Sequence, residues 1–596
     1  MPFLLGMFGQ CSSFSQKKHL TTIVKSYAQK ETLQQIPFNK GIIYTGYAHN
    51  EPDFSDPITS LPQNQGFFVG KLFDKYNFLP ASFTTADAHA IVHDPTIIMQ
   101  KWWGRYVATL YNSTTKQCTL LRDPQGLSTL FYTTIGDDII FSSDLALLYD
   151  VLEKKPALNH DYFTEYIVGI NYASPLTPFE GILELLPGMG LQIQSNGNHT
   201  LKQLWNVAQH NSSFITDVNA FEEELLATMR SCVKAWVGNS KGICLELSGG
   251  ADSSGLMILL RDILPEHNNL IGINYIDSKT PSSNEIEHAQ EVANICNARL
   301  HFIDWQHSSL LDPLPQHWRP NKPTTFLIFA QTSQQLQNFV VENGCDQIMN
   351  GQGGDHVFLA PQPIDSLADY WLDKGLRGIT QPLNALASTN RMPWWMLIRD
   401  TTAKIAQYYW NKNNKAVHND GKIYFDPAFA YQHNNNDFYL QKSIAFFYPA
   451  KKIHVQSLFH GVAYADRNQR IAGHTVTHPL LSQPIVELAL RIPTYQSFNN
   501  GFDRIFFRNS VSRIKKPNAL WRTIKGETNS SMAKSFAMHA NDVQDVILDG
   551  YFGKNNIVNK QWFMQEMAKV RHGHIQNLWP VIRFLTAQRW LDQWNL

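Results

Sequence analysis

The sequence predicts an α/β protein with at least two domains, for three reasons: its length, a strand-rich first part and a βαβ pattern near the middle. At 596 residues, the chain exceeds the size at which a single core remains efficient. Residues 1–209 contain short apolar runs bounded by turns, and Gly136-Asp137-Asp138 is typical of a hairpin turn. We expect a strand-dominated domain there, with one helix around Tyr162–Ile170.

The chain pattern changes after residue 210, which predicts a second domain over residues 210–596. Residues Asn219–Val237 repeat apolar side chains with the 3.6-residue spacing of an amphipathic helix. Two β-rich runs, 242–247 and 270–276, flank a predicted helix over Ser254–Leu264. That order indicates a parallel βαβ unit. After it, we expect a mostly helical, Trp-rich C-terminal part.

Composition excludes several classes of function. Lys plus Arg equals Asp plus Glu, 50 against 50, so no basic footprint for nucleic acid or an anionic membrane is present. The six cysteines are scattered without a C-x-x-C pair, which argues against a zinc site or disulfide framework. No apolar run reaches 18 residues, and the N-terminus does not resemble a signal peptide. We therefore expect a cytoplasmic protein with no membrane contact.

The turn after strand 242–247 carries the most informative residues: Ser248-Gly249-Gly250-Ala251-Asp252-Ser253-Ser254. In a parallel α/β sheet, phosphates bind where a strand's carboxyl end turns into a helix. The two glycines allow successive N–H groups to point at one anion, and the final serines add hydroxyl donors. Asp252 would repel phosphate by itself, which suggests a bridging Mg²⁺. A serine-capped helix after a glycine turn is the alternative without a ligand.

A second glycine-rich turn follows another apolar strand and has the sequence Asn350-Gly351-Gln352-Gly353-Gly354-Asp355-His356. In isolation, a glycine turn with a surface aspartate explains it equally well. The pattern of the first turn, Ser-Gly-Gly-x-Asp-Ser, resembles the PP-loop of ATP pyrophosphatases, which transfer AMP to an acceptor and release pyrophosphate. With both turns, the chain resembles the asparagine synthetase superfamily. The resemblance implies that Gly353 and Gly354 help to bind ATP, and that Asp252 and Asp355 hold Mg²⁺.

The first domain resembles the glutaminase domain of that superfamily, in the segments Leu121–Tyr132, Thr177–Gly181 and Leu186–Gly188. This implies an Ntn-type αββα sandwich. The family start "CGIFG" aligns with Leu5–Gly9, so leucine stands where the nucleophilic cysteine belongs, and four residues precede it. Without a thiol or hydroxyl, glutamine hydrolysis should be lost. We expect an inactive glutaminase-like domain, with ammonia not the nucleophile.

Further motifs resemble the lasso-peptide macrolactam synthetases: the second turn, His478–Ser482 with the following Gln-Pro, and Arg522-x-x-Lys525-Gly526. In those enzymes, an Asp or Glu side chain of a linear precursor peptide is adenylated and the peptide's own N-terminal amine attacks it. The resemblance implies that Lys525 stabilises charge developing during the reaction. Gln352 cannot accept a proton at neutral pH, so His356 is a candidate base, although it equally suits a purely hydrogen-bonding role.

The expected cofactors are therefore ATP and Mg²⁺, bound to a PP-loop ATP pyrophosphatase domain with a parallel sheet. The expected partners are a linear precursor peptide and a leader peptidase or leader-binding protein of the same pathway, with no nucleic acid. One alternative is an asparagine-forming or β-lactam-forming synthetase. Another is a non-catalytic scaffold, against which the intact first turn, Asp355 and Lys525 argue. Aromatic residues between Trp371 and Trp410 would line the substrate pocket or pack in the core.

Overall fold

Three β-sheets organise the chain. The structure, a computed structural model, describes residues 2–9, 14–29, 32–38, 41–48, 56–169, 174–210, 215–265, 268–278, 285–304, 309–316, 318–410, 422–429, 444, 447–463, 473–522, 528–574 and 578–596. Two antiparallel sheets lie in the first part of the chain and one parallel sheet lies in the second. This confirms the predicted α/β class.

The two antiparallel sheets have six strands each. Their strands are β1 (Pro2–Gly9), β2 (Gln34–Phe38), β3 (Gly41–Tyr47), β4 (Ile58–Ser60), β5 (Gly66–Asp74), β6 (Trp102–Asn112), β7 (Gln117–Arg122), β8 (Phe131–Ile135), β9 (Asp138–Ser142), β10 (Ile182–Glu184), β11 (Met189–Ile193) and β12 (His199–Gln203). The strand orders are β10-β8-β9-β1-β3-β2 and β12-β11-β7-β6-β5-β4. The predicted hairpin is present, since β8 pairs with β9 across Gly136, whose φ is 60°.

The two sheets face each other, with helices on their outer sides. Along β1, Leu4 and Phe8 enter the core between the sheets, while Leu5 points to the outer face and packs with helix residues. This alternation follows from the two-residue period of a strand. The other sheet sends Phe68 and Tyr106 outward against further helices. The arrangement is the αββα sandwich that the glutaminase-like resemblance implied.

The expectation of one helix in this first part was wrong, because the described residues there form five: α1 (Phe14–Tyr27), α2 (Thr85–His93), α3 (Thr96–Lys101), α4 (Leu145–Val151) and α5 (His160–Val168). Only α5 was expected. Local signals for the others existed: Thr84 and Asp87 form a reciprocal capping box at α2, and Asp144 caps α4. The apolar pattern of α2 is weak, since Ala88 and Ile91 are its only buried residues.

The parallel sheet has the order β15-β14-β13-β16-β17. Its elements are α6 (Val218–Val237), β13 (Gly242–Glu246), α7 (Ala251–Ile263), β14 (Asn269–Ile276), α8 (Ile286–Ile295), β15 (Arg299–Asp304), α9 (Ala330–Glu342), β16 (Gln347–Asn350), α10 (Gly354–Val357) and β17 (Val476–Thr477). The predicted βαβ unit is β13-α7-β14. Both glycine-rich turns therefore leave adjacent parallel strands at the same sheet edge.

The rest of the described chain is helical, as expected. Its helices are α11 (Ser366–Lys374), α12 (Thr380–Asn390), α13 (Trp394–Trp410), α14 (Pro449–Ala463), α15 (Gln483–Arg491), α16 (Ile505–Ser512), α17 (Thr528–Met538), α18 (Ala540–Leu548), α19 (Tyr551–Lys554), α20 (Lys560–Arg571) and α21 (Leu578–Trp594). Among the described helices, none combines the length and the apolar character that crossing a membrane requires. The domain boundary between residues 209 and 210 stays a prediction.

Candidate active site

The first glycine-rich turn joins β13 to α7 and is held by its own serines. The backbone N–H of Gly250 donates to Ser248 Oγ at 3.2 Å, and the N–H of Ser248 donates to Ser253 Oγ at 3.2 Å. Gly249 has a φ of 77°, in the left-handed region that glycine adopts without strain. Gly250 is the N-cap of α7, so the positive end of that helix faces the turn.

The second turn packs directly on the first. A Cβ added at Gly354 would lie 2.4 Å from Asp252 Cγ, and one added at Gly351 would lie 2.7 Å from Ser253 N. Glycine is therefore required at position 351 for the approach of the first turn's backbone, and at position 354 for the approach of the Asp252 carboxylate. The contact sets the distance between the two loops. The carboxylates of Asp252 and Asp355 therefore lie close to each other.

One guanidinium bridges these two carboxylates. Arg504, at the start of α16, donates from Nη1 to Asp252 Oδ2 at 2.8 Å, and the same nitrogen donates to Asp355 Oδ1. Its Nε donates to Asp503 Oδ1 at 3.1 Å. Asp503 also accepts from Arg508 Nη2 at 2.9 Å. The neighbouring carboxylates, Asp252 first, raise the pKa of Arg504 against the opposing effect of burial.

A cavity of about 720 Å³ opens above the two turns. Of the residues predicted to bind ATP or metal, Ser248, Gly250, Asp252, Ser253, Gly353 and Asp355 line it. Gly249, Ser254 and Gly354 are outside its lining: Gly249 packs against α8, Ser254 is fully buried, and Gly354 contacts Asp252. The volume is of the size that small-molecule sites have. The ATP-binding roles of all nine residues stay predictions.

One wall of the cavity is a hydrogen-bonded chain of polar side chains. Glu246, at the end of β13, accepts from Tyr275 Oη at 2.7 Å and from Asn350 Nδ2 at 2.8 Å. Asn350 Oδ1 in turn accepts from the Gln352 N–H at 3.1 Å and lies 2.6 Å from His478 Nδ1. This chain fixes the end of β16 and so the direction of the second turn.

Of the two residues predicted to be catalytic, the structure describes His356 but not Lys525. His356 lines the cavity, and burial lowers its pKa from the ordinary value of histidine. Gln352 also lines the cavity, beside Pro361 and Asn390. Lys525 lies outside the described residues, as does Gly526. The catalytic roles of Lys525 and His356 stay predictions.

The donor set fits a magnesium ion that is bound together with a nucleotide. Asp252 and Asp355 converge on one cationic nitrogen, which demonstrates that both carboxylates reach a single positive charge. Magnesium in nucleotide sites takes one or two protein carboxylates, and phosphates and water complete its shell. Within the described ranges, no group of three or more His, Cys, Asp or Glu side chains is placed to hold a metal ion without such help.

Comparison with known proteins identifies the chain. The asparagine synthase family matches residues 224–592, and a glutamine amidotransferase domain matches residues 76–205. The first match extends over more than half of the sequence. The chain belongs to the asparagine synthase family. Membership makes it an ATP-dependent amide ligase with an N-terminal amidotransferase-like domain.

Individual relatives are distant. The asparagine synthetase [glutamine-hydrolyzing] 1 of Bacillus subtilis (strain 168) is 18% identical over 507 residues, covering 81% of this chain and 77% of that protein. A putative asparagine synthetase [glutamine-hydrolyzing] of Mycobacterium tuberculosis (strain ATCC 25618 / H37Rv) is 25% identical over 185 residues, covering 30% of this chain and 28% of that protein. An NH3-dependent NAD synthetase from Campylobacter jejuni has 16% identity, covers 34% of this chain and 100% of its own, and gives a TM-score of 0.18, too low to support an argument.

Sequence reasoning missed four charged residues of the cavity: Glu246, Asp503, Arg504 and Arg508. Glu246 lies inside an apolar strand, and Arg504 and Arg508 lie far along the chain from both turns, where no local pattern marks them. It also assigned several exposed aromatic residues to the core or to the substrate pocket. Trp394, Trp395, Tyr409 and Trp410 are between 49% and 79% exposed, so they are neither core nor cavity lining.

Leu5, the residue that the sequence resemblance aligns with the family's nucleophile, lies within a strand. Leu5 is fully buried in the middle of β1, paired with Tyr44 on one side and Ser142 on the other. The three residues before it continue the same strand, as Pro2 pairs with Tyr47. An Ntn nucleophile needs both a reactive side chain and a free α-amine. Leu5 has neither.

Proposed function

We propose that the protein closes a lactam ring in a linear precursor peptide, using ATP to adenylate an Asp or Glu side chain that the peptide's own N-terminal amine then attacks. The observation that carries the proposal is Leu5 in the middle of β1. A family member whose amidotransferase-like domain cannot release ammonia must take its amine from elsewhere. The substrate itself is a source that needs no second enzyme.

The charges lining the cavity favour a peptide over a free amino acid. The seven charged residues of the lining (Glu246, Asp252, Asp355, Asp503, Arg504, Arg508 and Arg522) all have partners: Glu246 accepts hydrogen bonds, and the other six form ion pairs. The proposed peptide brings its N-terminal amine and one side-chain carboxylate into the cavity. Free aspartate brings an α-carboxylate in addition, and a buried charge without a partner is costly. Peptide bonds bring only hydrogen-bonding groups, which suit the neutral lining residues Gln352, Gln362, Thr389 and Asn390.

In the first step, a side-chain carboxylate oxygen of the peptide attacks the α-phosphorus of ATP, the α–β anhydride bond breaks, and pyrophosphate leaves. The N–H groups of the turn 248–254 and the positive end of α7 stabilise the charge of the leaving group. Asp252 and Asp355 would hold Mg²⁺, which supplies further neutralisation of the phosphates. Lys525 is proposed to stabilise the charge that develops on the α-phosphate.

In the second step, the N-terminal nitrogen of the peptide attacks the acyl carbon, AMP leaves, and the nitrogen gives up a proton. His356 is the proposed proton acceptor, because it lines the cavity next to Asp355. The precursor peptide must be folded so that its amine reaches the acyl-adenylate, since a well-oriented intramolecular attack outcompetes water. A leader peptidase or leader-binding protein is the partner we propose for delivering such a peptide, in the cytoplasm.

The test is incubation of the full chain with ATP, Mg²⁺ and a candidate linear peptide, followed by mass spectrometry. The expected product has lost one water from the peptide, with one AMP and one pyrophosphate formed. Two substrate controls separate the steps. Acetylating the peptide's N-terminus should block ring closure but leave pyrophosphate release, whereas replacing the acceptor Asp or Glu by Asn or Gln should block both.

The alternative within the family is an asparagine-forming or β-lactam-forming synthetase. Production of asparagine from aspartate and ammonia, with no change in peptide mass, would refute ring closure. Absence of ATP turnover with every substrate would favour a non-catalytic scaffold. A parallel reaction that contains aspartate and ammonia in place of the peptide tests the asparagine-forming alternative, so the three functions are distinguished directly.

A further inference from the structure

We propose that Arg504 and the divalent cation compete for Asp252 and Asp355, and that the displaced guanidinium then binds the pyrophosphate group of ATP. Arg504 would thus hold the two loops together before the nucleotide arrives and hold the leaving group afterwards. This inference goes beyond ring closure. It concerns the ATP half-site alone, so it can be tested without any peptide.

The contacts of Arg504 are those of a cation at the meeting point of two loops. A single nitrogen, Nη1, serves both Asp252 and Asp355, which come from different strands. The side chain of Arg504 is only 12% exposed, and that of Asp252 is 14% exposed. Water screens such a pair weakly, so the attraction is stronger than at the surface.

The same oxygens cannot serve both cations. A guanidinium nitrogen stays 2.8 Å from Asp252 Oδ2, whereas magnesium requires oxygen ligands at about 2.0–2.1 Å and further ligands around it. A metal bridging both carboxylates would lie close to the position of Nη1, and like charges there would repel. Binding of the metal therefore requires the guanidinium to move.

The geometry also indicates where the displaced guanidinium of Arg504 would bind. Arg504 lines the same cavity as Ser248, Gly250 and Ser253 of the anion-binding turn. Its Nη1 already contacts Asp252 in that turn. The backbone of Arg504 lies at the start of α16, with φ 51° and ψ 37°, and rotation about the side-chain bonds would transfer the charge from carboxylate to phosphate. A guanidinium group makes bidentate hydrogen bonds to phosphate oxygens, which the ammonium group of lysine cannot reproduce.

The test compares Arg504→Gln with the unmodified chain in two binding measurements. Mn²⁺ binding without nucleotide, followed by electron paramagnetic resonance, should become at least about tenfold tighter, because the competing cation is gone. Binding of magnesium pyrophosphate, followed by calorimetry, should become about tenfold weaker, because a phosphate ligand is gone. Tighter Mn²⁺ binding together with weaker pyrophosphate binding in the same variant would indicate that Arg504 exchanges the two carboxylates for the phosphates.

Three further variants make the result interpretable. Arg504→Lys keeps the charge, so it should leave Mn²⁺ affinity close to the original value and still weaken pyrophosphate binding. Arg504→Met also removes the charge and serves in place of Arg504→Gln if that variant does not fold. Arg230→Gln removes a partly exposed ion pair with Asp262 far from the cavity and should change neither affinity. Unchanged or weaker Mn²⁺ binding in Arg504→Gln overturns the proposal, as does unchanged pyrophosphate binding.

Discussion

Gly354 lies so close to Asp252 that a methyl group at position 354 would sit 2.4 Å from the carboxylate carbon. Gly354→Ala must therefore push Asp252 or its own loop aside. Because a displacement of about 1 Å in a catalytic group costs about a hundredfold in rate, we expect ATP–pyrophosphate exchange to fall by about that factor. The measurement is incorporation of labelled pyrophosphate into ATP in the presence of the peptide.

Gly375→Ala is the matched control. Gly375 has a positive φ of 70°, and no atom lies within 4 Å of its hypothetical Cβ, so alanine there meets backbone strain but no steric clash. The substitution should cost about 1 kcal/mol of stability and leave the exchange rate unchanged. If both alanine variants lose activity equally, the contact with Asp252 is not the reason.

The carboxylates of Asp252 and Asp355 are expected to be essential to adenylation rather than to ring closure. Each aspartate-to-asparagine variant keeps the side-chain shape but loses the negative charge that a metal needs. Pyrophosphate exchange should fall by at least about a hundredfold in both. A variant that retains exchange but no longer forms the ring would contradict the assignment to the first step.

Because Leu5 is buried within β1, we predict that a cysteine at this position does not restore glutamine hydrolysis. Leu5→Cys restores the thiol of the family motif, but Pro2, Phe3 and Leu4 still occupy the strand before it, so no α-amine is available to assist. We expect no glutamate release from glutamine. Glutamine hydrolysis by this single variant would show that the domain is a dormant glutaminase rather than a scaffold.

Sequence reasoning was most successful where local patterns determine structure. The helix predicted over Asn219–Val237 is α6, Val218–Val237, because its apolar period and the Asp217 cap are both local. The two glycine turns were also recognisable, since strand, glycines and aspartate follow one another. The predicted β13-α7-β14 unit contains the first turn, and the pairing of β16 with β13 in parallel places the second turn at the same end of the sheet.

Contacts made by tertiary packing could not be predicted in this way. Arg504 lies 252 residues after Asp252 and 149 residues after Asp355, and only the packed fold brings α16 beside the first turn. The same is true of Gly354, whose role depends on a neighbour in another strand–turn unit. The sequence located both loops, but it could not show which side chain neutralises the carboxylates of Asp252 and Asp355.

A buried aspartate in the helical part should contribute strongly to stability. Asp369 accepts from the backbone N–H groups of Ala450 and Lys451, each at 2.9 Å, and from Thr494 Oγ1 at 2.8 Å. These bonds satisfy the first turn of α14. We expect Asp369→Ala to lower the free energy of unfolding by about 3 kcal/mol, measured by urea denaturation. Asp262→Ala, which breaks a partly exposed pair with Arg230, should cost less than about 1 kcal/mol.

The pH dependence of stability should contain a contribution from Glu165, which lies on α5 near Asp161 and Lys322. Burial raises the pKa of Glu165 to about 7, whereas an unfolded chain gives about 4.3. The folded state thus holds the proton more tightly, so the stabilisation is fully present below about pH 4.3 and is lost as the pH rises through about 7. Glu165→Gln removes this titration. Its melting temperature should therefore fall less than that of the unmodified chain between pH 5 and 8, while the exposed Glu180→Gln should follow the unmodified curve, and parallel curves for Glu165→Gln would refute the assignment.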